Sequence, residues 1–131
     1  ARTGIPYIRI LRDSSAHKVA VYVDSTEKAA EYLEQQGLVI LKHNYRCRQG
    51  EIDLIAEKDG YLVFVEVKYR RTGQKGDPAE AVDYRKQKKI SKVAEYYCWK
   101  KRKLNQPCRF DVICVLGQEI RHIEHAFECC I

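Results

Sequence analysis

Hydrophobic and polar positions along the chain fall into blocks with two different periods. Tyr7–Leu11 and Lys18–Val23 are short apolar-rich runs on either side of the turn-like RDSSAH, and they predict two strands. In DSTEKAAEYLEQQG the period becomes helical, with Asp24 at the N-cap position, Glu27 three residues on and Gly37 as the stop. The run LVILKHNYRC predicts a strand, and two alternating segments follow around Asp59-Gly60, the strongest short-range hairpin signal. GQKGDPAEAV then opens a second helix, expected to carry Asp77 as N-cap, Pro78 at its first position and Glu80 in a capping box, and to run to about Lys103. CRFDVICVLG and EIRHIEHAF supply two more strands. The order β-β, α, β-β-β, α, β, β predicts an α/β (α+β) fold, a sheet flanked by helices with an N-terminal hairpin over residues 1–24 and the main domain over 25–131.

The hairpin contains charges where a core strand is normally apolar. A two-residue Asp59-Gly60 turn sets Lys58 opposite Tyr61 and Leu54 opposite Val65, which brings Asp53 opposite Glu66. Their Cβ atoms would lie about 4.5–5.5 Å apart on a face shared with Ile55, Leu62 and Phe64, and like charges so placed destabilise a sheet. A divalent cation resolves the conflict, because Mg²⁺ takes one or two carboxylates together with water and phosphate oxygens. Lys68 is two residues beyond Glu66 and points to the same face, where it can stabilise charge on a phosphate or help activate water. The same register leaves simpler readings open: Glu51 opposite Lys68 as a cross-strand ion pair, a solvated sheet end, or a bulge that separates the acids. Glu27 is either the third residue of a capping box or a further acid directed at the strand ends.

In the second helix Val82, Ile90, Val93, Ala94 and Tyr97 keep the spacing of an inward face. Arg85, Lys88, Lys89 and Lys92 form a separate stripe, while Lys86 falls on the inward side, where it snorkels past the core or points to the acids of the hairpin. The chain has 131 residues, one domain's worth, and a formal net charge of +6. From Lys68 to Lys103 there are 13 basic and 4 acidic residues, so one third of the chain holds the cationic surface. A lysine-arginine stripe is most often a solvated face. Its concentration here, with Arg70, Arg71 and Lys75 just before it, points to contact with a nucleic-acid backbone. Trp99 and the tyrosines are candidates for base stacking or for core.

No apolar run reaches membrane-spanning length and no signal peptide is visible, so a cytoplasmic protein without a membrane partner is expected. The absence of methionine suits a trimmed chain or an excised domain. Six cysteines form no C-x-x-C and read as reduced thiols, several packed as small apolar residues. His122, His125, Cys129 and Cys130 match no standard metal spacing.

TEKAAEYLEQQGLVILKHNYRCRQGEIDLIAEKDGYLVFVEVKYR, followed by GDPAEAVDYRKQKKI, CRFDVICV and IRHIEHAF, resembles the YraN-like family of small bacterial proteins, over about Ser25 to Phe127. That family is similar to the restriction-endonuclease-like PD-(D/E)XK superfamily and to archaeal Holliday-junction resolvases. The resemblance implies a restriction-endonuclease-like core with a central mixed sheet. It implies Asp53, Glu66 and the Val67 carbonyl as ligands of Mg²⁺ or Mn²⁺, and Glu27, Asp53, Glu66 and Lys68 as catalytic residues. Ile52 stands where the motif's label has proline, and the first 24 residues have no counterpart in the usual pattern.

The resulting expectation is a metal-dependent nuclease acting on DNA, branched or structured DNA above all, held by Arg70, Arg71, Lys75, Arg85, Lys86, Lys88, Lys89 and Lys92. By analogy with resolvases it would be a homodimer. Two other readings stay open: a nucleic-acid-binding protein that keeps the fold without cleaving, and a nuclease toxin domain from a larger secreted protein, with an immunity protein as partner.

Overall fold

The computed structural model describes residues 7–12, 18–23, 25–70 and 82–130. β1 (Tyr7–Arg12) and β2 (Lys18–Val23) form an antiparallel two-stranded sheet of their own, with Tyr7 opposite Val23 and Arg12 opposite Lys18. The expected N-terminal hairpin is therefore present; Asp24, the expected N-cap of the first helix, lies outside the described residues.

α1 (Ser25–Gln35) ends at the expected glycine. Gly37 adopts φ +90°, the Leu38 N–H donates to the Leu33 carbonyl and the Gly37 N–H to that of Glu34, each at 3.0 Å. These two bonds are a Schellman motif, and Leu33 and Leu38 are both buried beside it.

The main sheet has five strands in chain order: β3 (Val39–Cys47), β4 (Gly50–Lys58), β5 (Tyr61–Arg70), β6 (Cys108–Leu116) and β7 (Glu119–Phe127). Neighbours are antiparallel except β5 and β6, which run parallel and are joined by α2 (Tyr84–Lys100). A parallel pair requires such a crossover, since the end of one strand and the start of the next lie at opposite ends of the sheet. Asp59 (φ +51°) and Gly60 (φ +84°) are both left-handed, as a two-residue primed turn demands, and Lys58 faces Tyr61 and Leu54 faces Val65 in the expected register.

Alternate residues of the central strands feed two cores. Ile55, Leu62, Phe64, Phe110 and Val112 pack with Ile90, Val93, Ala94 and Tyr97 of α2. Leu54, Ala56, Val63, Val65, Val67, Ile113 and Val115 pack with Ala29, Ala30 and Leu33 of α1. The helices thus cover opposite faces of a mixed sheet, an α+β architecture consistent with a restriction-endonuclease-like core. Burial on both faces explains why YLVFVEV reads as a nearly continuous apolar run. Among the described residues no helix is long and apolar enough to cross a membrane.

The second helix departs from expectation at both ends. Val82 and Asp83 are not helical, and Asp83, with extended backbone (φ −70°, ψ 172°), accepts from the Lys86 N–H at 2.9 Å as the N-cap. Asp77, Pro78 and Glu80 lie outside the described residues. An Asp-x-x-Lys cap lacks the acid that completes a capping box, and DPAE upstream looked the stronger start. At the other end the helix stops at Lys100 instead of running to Lys103. Arg102 takes φ +57°, and the Lys103 N–H reaches the Cys98 carbonyl at 2.7 Å in a second Schellman turn. No glycine marks this stop, so the sequence pattern ran through it.

Candidate active site

β4 loses its alternation at Asp53. Ile52 and Ile55 both belong to the core under α2, while Leu54 belongs to the core under α1. Two residues, not one, separate the inward positions. Across the strand, the Cα pairing of β3 with β4 passes from His43–Leu54 to Tyr45–Ile52, and the skipped Asn44 has φ +49°. On the other side the β4–β5 pairing ends at Leu54–Val65, one step short of the expected Asp53–Glu66 pair. There the Val67 N–H donates to Asp53 Oδ2 at 2.8 Å. The local break that could have driven the acids apart instead turns the Asp53 carboxylate toward β5, and Asp53 and Glu66 share a side-chain hydrogen bond.

Both acids are nearly out of solvent, at 8% and 6% exposure. Burial pushes the Glu66 carboxyl up to about 7, and its hydrogen bond to Asp53 and the Asp53 charge act in the same direction. Lys86 and Lys68 pull the other way, with Lys86 Nζ 3.4 Å and Lys68 Nζ 3.5 Å from Glu66 Oε2. Lys86 therefore points to the acids, the second of the two orientations its inward position allowed. The bland pairing of Glu51 with Lys68 is not what forms: Glu51 bonds Arg46 at 3.3 Å, while Lys68 turns to Glu66 on its own strand.

Two buried carboxylates in hydrogen-bond contact need a proton or a cation between them. With the backbone oxygen of Val67 they would make an all-oxygen donor set, the kind that suits Mg²⁺ or Mn²⁺ better than a softer metal. Among the described residues no group of three or more His, Cys, Asp and Glu side chains is arranged to hold a metal. The six cysteines are free thiols, with Cys98 and Cys114 buried as expected.

Glu27 is exposed in the first turn of α1. Its neighbour Lys28 is buried and donates from Nζ to the Gly117 carbonyl at 2.9 Å, just past the end of β6. Burial lowers the Lys28 ammonium from its usual range. Because β5 runs parallel to β6, with Lys68 beside Cys114 and Arg70 beside Leu116, this contact brings the start of α1 to the end of the sheet that carries Lys68 and Arg70.

Of the expected backbone-binding residues, Arg85, Lys88, Lys89 and Lys92 are exposed along α2, and Arg70 is half-buried at the end of β5. Arg71 and Lys75 lie outside the described residues. One polar centre was not anticipated. Asp111, fully buried on β6, accepts from Arg109 Nε at 3.1 Å and from the His125 N–H at 3.2 Å, and lies 2.7 Å from His122 Nε2. The other ring nitrogen of His122 is 3.3 Å from the Tyr32 hydroxyl of α1. This network ties β6, β7 and α1 together where β7 shifts register, between Phe110 and Val112. A charge inside the apolar run FDVICV was its only sequence signal.

Residues 26–115 match the model of the uncharacterised protein family UPF0102. The chain is similar to the UPF0102 protein of Lachnoclostridium phytofermentans, 52% identical over 112 residues that cover 85% of this chain and 94% of that one. It is also similar to the UPF0102 proteins of Persephonella marina, 41% identical over 80% of this chain and 90% of the relative, and of Geobacter metallireducens, 43% identical over 87% and 97%. The matched span includes the hairpin acids, both lysines and the start of the Asp111 network, and so the chain belongs to the UPF0102 family, the YraN-like proteins of bacteria.

Proposed function

We propose that this protein is a divalent-metal-dependent nuclease of the PD-(D/E)XK type that hydrolyses phosphodiester bonds in DNA, branched or otherwise structured DNA in particular. The observation that carries the reading is the buried Asp53–Glu66 pair with Lys68 and Lys86 both within 3.5 Å of one Glu66 oxygen. A core hairpin gains nothing from two acids that repel each other, whereas a phosphodiesterase needs such a site.

Asp53, Glu66 and the Val67 carbonyl would hold Mg²⁺ or Mn²⁺. When bound, the ion supplies an activated water and neutralises charge on the phosphate. The Val67 N–H fixes the Asp53 carboxylate through its 2.8 Å bond. Lys86 and Lys68 orient Glu66 and, once its charge is otherwise engaged, stand free to face a phosphate oxygen. Glu27 would contribute from the start of α1. Arg70 and the Arg85–Lys92 stripe would hold the DNA backbone in a sequence-independent way, with Arg71 and Lys75 assigned to the same task. A homodimer belongs to the same proposal, as does a place in the bacterial cytoplasm.

One observation favours the non-cleaving alternative. Two lysines already compensate Glu66, so the pair can be internally balanced and the chain a nucleic-acid-binding protein only. The deciding experiment incubates the protein with linear duplex, single strand, four-way junction and structured RNA, in Mg²⁺, Mn²⁺ or EDTA. Metal-dependent cutting of the junction, lost in Glu66→Gln and Lys68→Ala, is expected. Binding without cutting by wild type and both variants refutes the enzyme, and preference for structured RNA refutes the DNA substrate and favours a toxin-like nuclease.

A further inference from the structure

The outward stripe of α2 changes character along its length. Arg85, Lys88, Lys89 and Lys92 are exposed cations, and the same helical spacing then reaches Tyr96 and Trp99. Trp99 is 63% exposed, large for the most apolar-bodied side chain of the protein, and its ring lies 5.9 Å from that of Tyr96 at 41°. Leu104, 64% exposed, joins Tyr96 and Trp99 in lining two adjoining open hollows. Lys92 and Glu95 line one of these hollows, and Lys100 and Arg102 the other, with Lys100 Nζ 5.8 Å above the Tyr96 ring.

An exposed tryptophan beside a half-buried tyrosine usually marks a binding surface, and its surroundings decide for what. Lys92, Lys100 and Arg102 outnumber the one acid of this surface, Glu95, and a cationic excess beside aromatic rings suits an aromatic group carried on a phosphate chain. Single-stranded nucleic acid has that composition: bases stack on aromatic faces while phosphates meet lysine and arginine. The spacing is suitable too. From Lys86, which touches Glu66, to Trp99 the helix rises about 20 Å, the length of roughly six stacked nucleotides at about 3.4 Å each.

We propose that Tyr96 and Trp99 form a stacking subsite for unpaired nucleotides, with a single strand laid along the outer stripe of α2 from the Asp53–Glu66 site to this aromatic end. The inference rests on the nucleic-acid reading of the site and sharpens it: the substrate carries a single-stranded tail, flap or opened arm.

Trp99 is the single tryptophan of the chain, so its emission reports this subsite without a label. The full chain is titrated in EDTA, where cutting is blocked, with a dT12 strand and with a blunt duplex at equal phosphate concentration. End-labelled DNA followed by anisotropy gives the affinities. The strand should quench Trp99 at least twice as strongly as the duplex. Trp99→Ala should weaken dT12 binding roughly 5- to 150-fold, the span for losing one stacked base, while Trp99→Phe, which keeps an aromatic face, should stay within about threefold of wild type. Binding of dT12 with unchanged Trp99 emission overturns the proposal, as does wild-type affinity in Trp99→Ala, or no binding at all. Emission that instead depends on protein concentration without DNA, with Trp99→Ala abolishing a dimer, also overturns it and assigns the patch to a second copy of the chain. Failure of the nuclease reading is seen separately, as absent cutting in Mg²⁺ with an intact quench.

Discussion

Replacing Glu66 by glutamine tests the acid pair directly, because it removes the charge and keeps the shape. The folded protein holds the Glu66 proton up to about 7, whereas in the unfolded chain it is lost near 4.5. Between those values the folded state binds more protons than the unfolded one, so stability falls as pH rises, and the loss is complete above pH 7. Each tenfold change in proton affinity is worth about 1.4 kcal/mol, which makes the full difference roughly 3 kcal/mol. The glutamine amide donates to Asp53 as the carboxyl proton does, and it carries no charge to desolvate. In EDTA, Glu66→Gln should therefore be more stable than wild type by up to about 3 kcal/mol at pH 8 and nearly equal to it at pH 4.5. Urea denaturation followed by far-ultraviolet circular dichroism at pH 4.5, 6 and 8 measures this. Saturating Mg²⁺ at pH 8 should raise the wild-type midpoint and leave the variant's unchanged. A variant less stable than wild type at pH 8, or a difference that does not grow with pH, would refute the buried, proton-sharing pair.

Lys68→Ala should lower the cleavage rate at least a hundredfold, on the scale of losing one electrostatic contact to a transition state, with a urea midpoint within about 1 kcal/mol of wild type. Lys86→Met removes a charge that lowers the Glu66 carboxyl. The ionisation seen by carboxyl-resolved NMR in EDTA should accordingly move to higher pH; movement to lower pH would contradict the 3.4 Å contact. Asp111→Ala removes the fully buried acceptor shared by Arg109, His122 and the His125 N–H, leaving Arg109 with only Glu124 at 3.6 Å, and should cost about 1–3 kcal/mol in urea denaturation; a loss under 1 kcal/mol would mean that the network does not hold β6, β7 and α1 together. Changing Lys88, Lys89 and Lys92 together to glutamine should reduce the slope of log affinity against log salt by about 2 to 3, since each phosphate contact contributes roughly 0.9. An unchanged slope would place the DNA elsewhere.

Local rules determined much of this protein without reference to its tertiary structure. Asp59-Gly60 dictates a primed turn, and the turn dictates the register from Lys58–Tyr61 to Leu54–Val65, which ends one step short of the two acids. Gly37 ended α1 for the same kind of reason, as the residue that adopts a left-handed conformation without steric cost. Other features depended on contacts that no short window contains. The start of α2 at Asp83 and its stop at Arg102 were decided by the helix's seat on the sheet, where Val82 and Tyr97 must both reach the core. The loss of alternation at Asp53, across from the left-handed Asn44 of the neighbouring strand, goes with a carboxylate that accepts from the Val67 N–H. The partners of Lys68, Lys86 and Asp111 were likewise chosen in three dimensions. A charge in an apolar run announces that a partner is needed, but burial and distance, which exist only after folding, select which one.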